Sequence, residues 1–333
     1  MSEILTAPLV SVLIPCFNAE AVIGQAIESV LAQTYSPIEI VVVDDGSTDG
    51  SMATLERYRK YGVAVFKQAR GSAAAARNRA LAESRGDFVL FLDADDVIAH
   101  EHIRLLLSRL EHRDGYVAMG EWDRFRFSPA EAKFPHRPGN RDATGVDWLV
   151  EDWSDGQQMT QCGSFLIPRS LLKRVGGWDE RLSLIDDFEF FARLLVGSSG
   201  VLFAFGARLY YRSGTTGSLS GRRSRSAAES SCMSLLLGTT QLLQVENSAR
   251  VRRACANVLM TFEFDFYPAY SDLRCKVRRR ISELGGGDLE PAGPPTFHRL
   301  RRCIGWRPAR LVQLLVQRIG RDHAARLQTA KAP

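Results

Sequence analysis

Three carboxylates, Asp93, Asp95 and Asp96, follow directly on an apolar run in Phe-Val-Leu-Phe-Leu-Asp-Ala-Asp-Asp, residues 88–96. Charges this close repel one another unless a cation or a set of donors offsets them. Mg²⁺ and Mn²⁺ take oxygen ligands and commonly share their shell with substrate phosphates. In open α/β sheets, ligands sit beyond the carboxyl ends of the strands. The stretch therefore points to a metal–diphosphate site, against the plainer alternative of a solvated acidic turn that starts the next helix. Asp44 and Asp45 pose the same choice. They end the apolar run 38–43, and carboxylates there can accept from the ribose hydroxyls or base edge of a nucleotide. An Asp/Gly/Ser turn explains the same composition. The chain has no Gly-x-Gly-x-x-Gly and no Gly-Lys-Ser/Thr loop, so the dinucleotide and P-loop fingerprints are missing. Phosphate charge would then be met by a metal and by side chains such as Arg77.

These residues need a scaffold that brings strand ends together. Runs at 10–14, 38–43, 63–66 and 88–91 read as buried strands, and helical spacing at 21–33, 49–61 and 73–83 separates them. Such alternation predicts a parallel, doubly wound sheet. All of these strands except the third leave polar or acidic residues past their C-terminal ends. Beyond a helix at 100–110, segments 117–119 and 121–127 read as strand or hairpin, and 128–144 as an exposed loop rich in Pro, Gly and charge. Asp186-Asp187 opens a helix, where a carboxylate can serve merely as a cap. Strands at 201–205 and 208–211 precede a Ser/Gly/Arg segment, 212–226, read as a flexible loop. Helical patterns then run through 235–243, 251–266 and 273–284, and 285–295 is a Gly/Pro linker. Residues 297–328 carry Trp and Leu among arginines, seven of them from Arg299 to Arg321. An amphipathic helix of that kind can lie on an anionic membrane; packing on the chain's own body competes with that reading. Pro308 is expected to split it into two helices.

The chain has 333 residues, 45% hydrophobic and 24% charged, ordinary for a soluble globular protein. No apolar run reaches membrane-span length, and the N-terminus lacks a secretory pattern. Six cysteines without paired spacing argue against a zinc site or disulfide framework and fit a reducing cytoplasm. The net charge of +5 conceals an asymmetry: residues 222–333 hold 20 Lys and Arg against 9 Asp and Glu, whereas the remainder holds 23 against 29. An acidic body with a basic tail suits a polyanionic surface.

In order, Val-Ser-Val-Leu-Ile-Pro-Cys-Phe-Asn (10–18), Val-Val-Val-Asp-Asp-Gly-Ser-Thr-Asp (41–49), Ala-Arg-Asn (76–78), Leu-Asp-Ala-Asp-Asp (92–96), Gly-Gly-Trp-Asp-Glu (176–180) with Asp186-Asp187, and Tyr211-Arg212 together resemble the family 2 glycosyltransferases, inverting enzymes of the GT-A fold. The resemblance covers roughly residues 9–221. It implies an α/β, mixed and mainly parallel sheet flanked by helices, to which the helical patterns beyond it add a C-terminal extension. The expected organisation is a catalytic domain over 1–225, a helical extension over 226–284, a linker over 285–296 and basic amphipathic helices over 297–333. It further implies that Pro15, Phe17 and Asp45 line the nucleoside pocket, Arg77 lies near base or diphosphate, and Asp93 holds the ribose. Asp95, with Asp96 sharing the task, would bind Mg²⁺ or Mn²⁺. Asp187 would be the base that activates an acceptor hydroxyl. The implied donor is a nucleotide-sugar, with UDP-sugar foremost. The implied acceptor is a lipid-linked or surface-polysaccharide glycan, met by a cytoplasmic enzyme peripheral to the inner face of the membrane; no nucleic acid partner is expected. Two competing readings are an inactive nucleotide-sugar or polysaccharide binding module and a sugar nucleotidyltransferase. The latter would want a Gly-rich basic loop that residues 10–21 lack. The chain departs from the family at Asp186, usually Glu, and in having no His at 213–218, which bears on its metal dependence.

Overall fold

Largely apolar runs form the first four strands of a sheet whose side chains enter cores on both faces. In the computed structural model, which describes residues 7–157, 160–214 and 224–329 with side chains to Gln317, these are β1 (Val10–Cys16), β2 (Ile38–Asp44), β3 (Ala64–Lys67) and β4 (Phe88–Phe91). Side chains alternate across a strand, so Leu13, Val41, Val43, Val89 and Phe91 enter one core, while Val12, Ile14, Ile40, Val42 and Leu90 enter the other. Helices α1 (Ile23–Leu31), α2 (Ser51–Glu56) and α3 (Ala73–Glu83) connect them.

The sheet continues through β5 (Val97–Ile98), β6 (Tyr116–Phe125), β7 (Phe165–Pro168) and β8 (Gly200–Arg212), in the order β3-β2-β1-β4-β7-β6-β8-β5. The β1–β2, β1–β4, β2–β3 and β6–β8 pairs are parallel; those made by β7 and β5 are antiparallel. The segments expected as separate pieces in 117–127 and 201–211 are single strands. Their register slips between Gly120 and Glu121, where a side chain on Gly120 would lie 2.3 Å from the Ala207 carbonyl oxygen. A bulge of this kind redirects a strand without ending it.

Helices α4 (His102–Leu110), α5 (Gly145–Ser154), α6 (Arg169–Val175) and α7 (Asp186–Val196) complete the layers. They are followed by α8 (Arg225–Val245), α9 (Ala249–Phe266), α10 (Ser271–Glu283), α11 (Pro295–Ile304) and α12 (Trp306–Thr329). Most of the segment 212–226, expected as a flexible loop, lies outside the described residues, as do residues 330–333 of the tail. Helices α8 and α9 send Ala228, Cys232, Leu235, Val258, Leu259 and Phe262 into the core that holds Phe188 and Trp153. A side chain on Gly238 of α8 would stand 2.6 Å from the Phe188 ring, so α8 lies hard against α7. The 285–296 segment is tied down by Asn257, which donates to Asp288 and to the Ser154 carbonyl and accepts from the amides of Asp288 and Leu289. The break expected at Pro308 falls instead at Gly305, with φ of 79°. Pro308 sits in the first turn of α12, where no amide hydrogen is required. Among the described residues no helix is long and apolar enough to cross a membrane.

Candidate active site

Register brings the acids together. Cys16 pairs with Asp44 and Leu13 with Phe91, so β1, β2 and β4 end on one edge and the chain turns there into Asp45 and Asp93. The Asp45 amide donates to the Cys16 carbonyl at 2.8 Å, and its Oδ1 accepts from Gln68 Nε2 at 2.7 Å and the Gly71 amide at 2.9 Å. Beside it, Phe17 is exposed, with the Arg70 guanidinium 3.0 Å from its ring centre. Half-buried Pro15 lies two residues before it on β1.

Arg77 ties the two halves of the site. From α3 its Nη2 donates to Asp93 Oδ1 at 2.7 Å and its Nη1 to Asp186 Oδ2 at 2.8 Å. Its guanidinium lies 4.3 Å from the Trp178 ring centre, and Trp178 stacks on Phe190 of α7 at 4.1 Å. Burial works against the Arg77 charge, but Asp93 and Asp186 outweigh it and raise its pKa. Next to it, Asn78 donates to the Trp178 carbonyl and accepts from the Trp178 amide. The Ala-Arg-Asn stretch thus fastens both the 176–180 turn and the start of α7.

The remaining acids are poised above the ordinary carboxylate range. Burial, then the Asp93 charge, pushes Asp95 up to about 6; burial, then the Asp95 charge, also raises Asp96 well above its ordinary value. Asp96 Oδ1 accepts from the Arg212 amide at 2.9 Å, while its buried Oδ2 has no partner. Arg212 also donates from Nε to the Asp95 carbonyl and from Nη2 to Gln25. Asp187, the second residue of α7, is pushed up to about 7 by burial and then by Asp186. It keeps some accessible surface but is densely enclosed by protein, and its Oδ2 accepts from the Thr160 amide at 3.0 Å.

How Asp187 is held was not visible in the sequence. Ile185, which precedes α7, has φ of 49°, a strained conformation for a β-branched residue. Ser234 of α8 donates to its carbonyl at 2.6 Å, and Ser230 accepts from the amides of Ser183 and Leu184. Serines on a helix carry no local sign of such a task. Among the described residues, no three His, Cys, Asp or Glu side chains are grouped so as to hold a metal ion by themselves.

Residues 11–175 match the model of glycosyl transferase family 2. The chain belongs to that family. Glycosyltransferase GlyG of Streptococcus pneumoniae is 29% identical over 147 residues, 43% of this chain and 46% of GlyG. The uncharacterized glycosyltransferase RT0329 of Rickettsia typhi is 30% identical over 200 residues, 58% of this chain and 60% of RT0329. The family 2 chain therefore spans less than two thirds of either relative. The crystal structure of Staphylococcus aureus TarS 1–349 in complex with UDP-GlcNAc superposes with a TM-score of 0.65 at 19% identity, over 83% of this chain and 80% of that one. The likeness to TarS is one of fold, the GT-A type of mixed sheet flanked by helices.

Proposed function

We propose that this chain is an inverting glycosyltransferase, moving a sugar from a UDP-sugar to an acceptor hydroxyl with Asp187 as base. The observation that carries the reading is a carboxyl poised at about 7, fixed by one backbone amide and joined through Asp186 and Arg77 to the strand-end acids. A general base works best with a pKa near the working pH. Asp187 takes the proton of the acceptor hydroxyl as that oxygen bonds to the anomeric carbon. The bond from that carbon to the diphosphate oxygen breaks, and the nucleoside diphosphate leaves with the electron pair. The choice of UDP draws on the ligand in the TarS complex.

Pro15, Phe17 and Asp45 receive the nucleoside, and Asp93 the ribose. Both Nη atoms of Arg77 are committed to carboxylates; we assign it to orienting Asp93 and the start of α7 in place of direct phosphate contact. Asp95 and Asp96 fit a hard divalent ion such as Mg²⁺ or Mn²⁺. The orphaned Asp96 Oδ2 and the raised Asp95 carboxyl mark negative charge that the nearby Arg212 does not offset. Two carboxylates with substrate phosphates is an ordinary shell for Mg²⁺. Such an ion supplies charge neutralisation of the leaving diphosphate.

The acceptor reading is a glycan, lipid-linked or of a surface polysaccharide, reached at the inner face of a membrane. Leu311, Leu315 and Val316 of α12, exposed amid arginines, support that placement.

Thermal unfolding with UDP, GDP, CDP and dTDP, each with and without Mn²⁺, tests the donor half. A ligand at 100 times its Kd stabilises by about 2.7 kcal/mol. We expect a Mn²⁺-dependent rise with UDP that is lost in Asp95→Ala; no rise with any nucleotide would overturn the reading.

A further inference from the structure

Where α9, α10 and α12 meet, one buried carboxylate faces three guanidiniums. Arg274 Nη1 donates to Glu263 Oε1 at 2.9 Å. Its Nε and Nη2 donate to the carbonyls of Ala269 and Pro268, so Arg274 is spent on the turn between α9 and α10. Arg278 Nε donates to the Arg274 carbonyl at 3.4 Å and stands 3.8 Å from Glu263 Oε2. Arg307 Nη2 stands 3.6 Å from Glu263 Oε1. The last two separations are ion pairs too long for hydrogen bonds. One negative charge against three positive leaves a surplus of two. Arg278 and Arg307 carry it to the surface, with 41% and 48% of their side chains exposed. Asp265 and Arg310, in the wall of the adjoining cavity, add no net charge.

This surplus adjoins an apolar surface. On α12, Arg307, Leu311 and Leu315 are spaced by four and follow one another along one face. Val312 and Val316 lie beside them, and all four apolar side chains are exposed, whereas Ala309 on the other side is buried. The outward face of a surface helix is ordinarily polar; here it is apolar, and such a patch marks an interaction surface. Trp306, at the start of the helix, packs on Phe264 and Tyr267. Trp and Tyr rings favour the headgroup level of a bilayer. Guanidiniums beside a hydrocarbon stripe match the two parts of an anionic phospholipid, its phosphate and its acyl chain. A soluble phosphate would use the arginines alone. A second copy of α12 would cover the stripe but bring five more arginines against one acid.

We propose that α12 lies on the membrane surface with a lipid phosphate held between Arg278 and Arg307 and its acyl chain against Leu311 and Leu315. The proposal rests on the placement of this chain at a membrane and gives that placement a binding site. The site lies beyond residue 175, where the family match ends, and apart from the nucleotide edge.

Co-sedimentation of the full chain with vesicles of equal parts phosphatidylcholine and phosphatidylglycerol tests it. The pair Arg278→Gln with Arg307→Gln should lower partition by at least about fivefold. The pair Lys276→Gln with Arg279→Gln removes as much charge from another face of α10 and should lower it less than about twofold. Both pairs keep Arg274 on Glu263, and a cooperative thermal transition in each shows that it is folded. Equal losses in the two pairs, or no loss in either, would overturn the site and leave the membrane placement standing. No partition of wild type would overturn both. Calorimetry with glycerol 3-phosphate separates the sources of phosphate: heat that is lost in the Arg278 and Arg307 pair, from a chain that does not partition, would assign the cluster to a soluble phosphate and overturn the proposal. A lipid-free dimer that Leu311→Ser with Leu315→Ser dissolves would give the stripe to a second copy and overturn it as well.

Discussion

Asp187, the base we propose, stands where catalysis and stability would pull in opposite directions. Its pKa in the fold, about 7 against an ordinary 3.8, means that the native state prefers the protonated carboxyl. The stability linked to that proton is full below about pH 4 and is lost as pH rises through 7. Asp187→Asn should therefore raise the unfolding midpoint at pH 8 and change it little at pH 4, which calorimetry at the two values checks. The same change should lower transfer by about 10²–10⁴-fold with UDP binding intact, because a base acts only in the chemical step. Wild-type kcat should climb tenfold per unit below pH 7 and level off above it. Arg77 is the second residue on which much depends. Arg77→Met would leave Asp93 and Asp186 facing each other in a desolvated site, and losing one partner of a buried pair costs about 3–5 kcal/mol. Urea denaturation would show that loss.

The elements that hold Asp187 lie partly beyond the family match, which ends at residue 175. Helix α8 supplies two serines to the backbone before α7 and a glycine to the Phe188 ring. Ser234→Ala should leave the Ile185 carbonyl unsatisfied and cost about 1–3 kcal/mol, with a loss of kcat larger than any change in UDP binding. The first strands and helices were legible because each is a local apolar pattern bounded by turn residues. The unity of β6 and of β8 was not, since Gly120 and Gly206 interrupt the pattern and the sheet absorbs the interruption as a bulge. Pro308 misled for a related reason: proline ends a helix only when it falls inside one, and here the left-handed Gly305 had already done so. At the site, the acids were readable from their placement at strand ends. The Arg77–Asp186 bridge joins residues 109 apart in sequence, and no local pattern announces it.

Across the whole molecule, the charge asymmetry resolves into two uses. Many of the C-terminal arginines are spent internally: Arg274 and Arg307 meet the buried Glu263, Arg225 meets Asp272, and Arg250 meets Asp147. Trp306 packs on Phe264 and Tyr267, and Phe297 and Ala309 are buried, so the tail docks on the body by one face. The face left over exposes Leu311, Leu315 and Val316, at 46%, 58% and 63% of their surface. Vesicle co-sedimentation with phosphatidylglycerol should fall several-fold for Leu311→Ser with Leu315→Ser, and UDP binding should be unchanged. Equal sedimentation would assign the tail to packing alone. The serine hold on the loop before α7 also sets an order of events on the ribosome. Ser234 follows Ile185 by 49 residues, roughly 2–10 s of synthesis at ordinary elongation rates. During that interval Asp187 still lacks the helix that fixes the backbone before it.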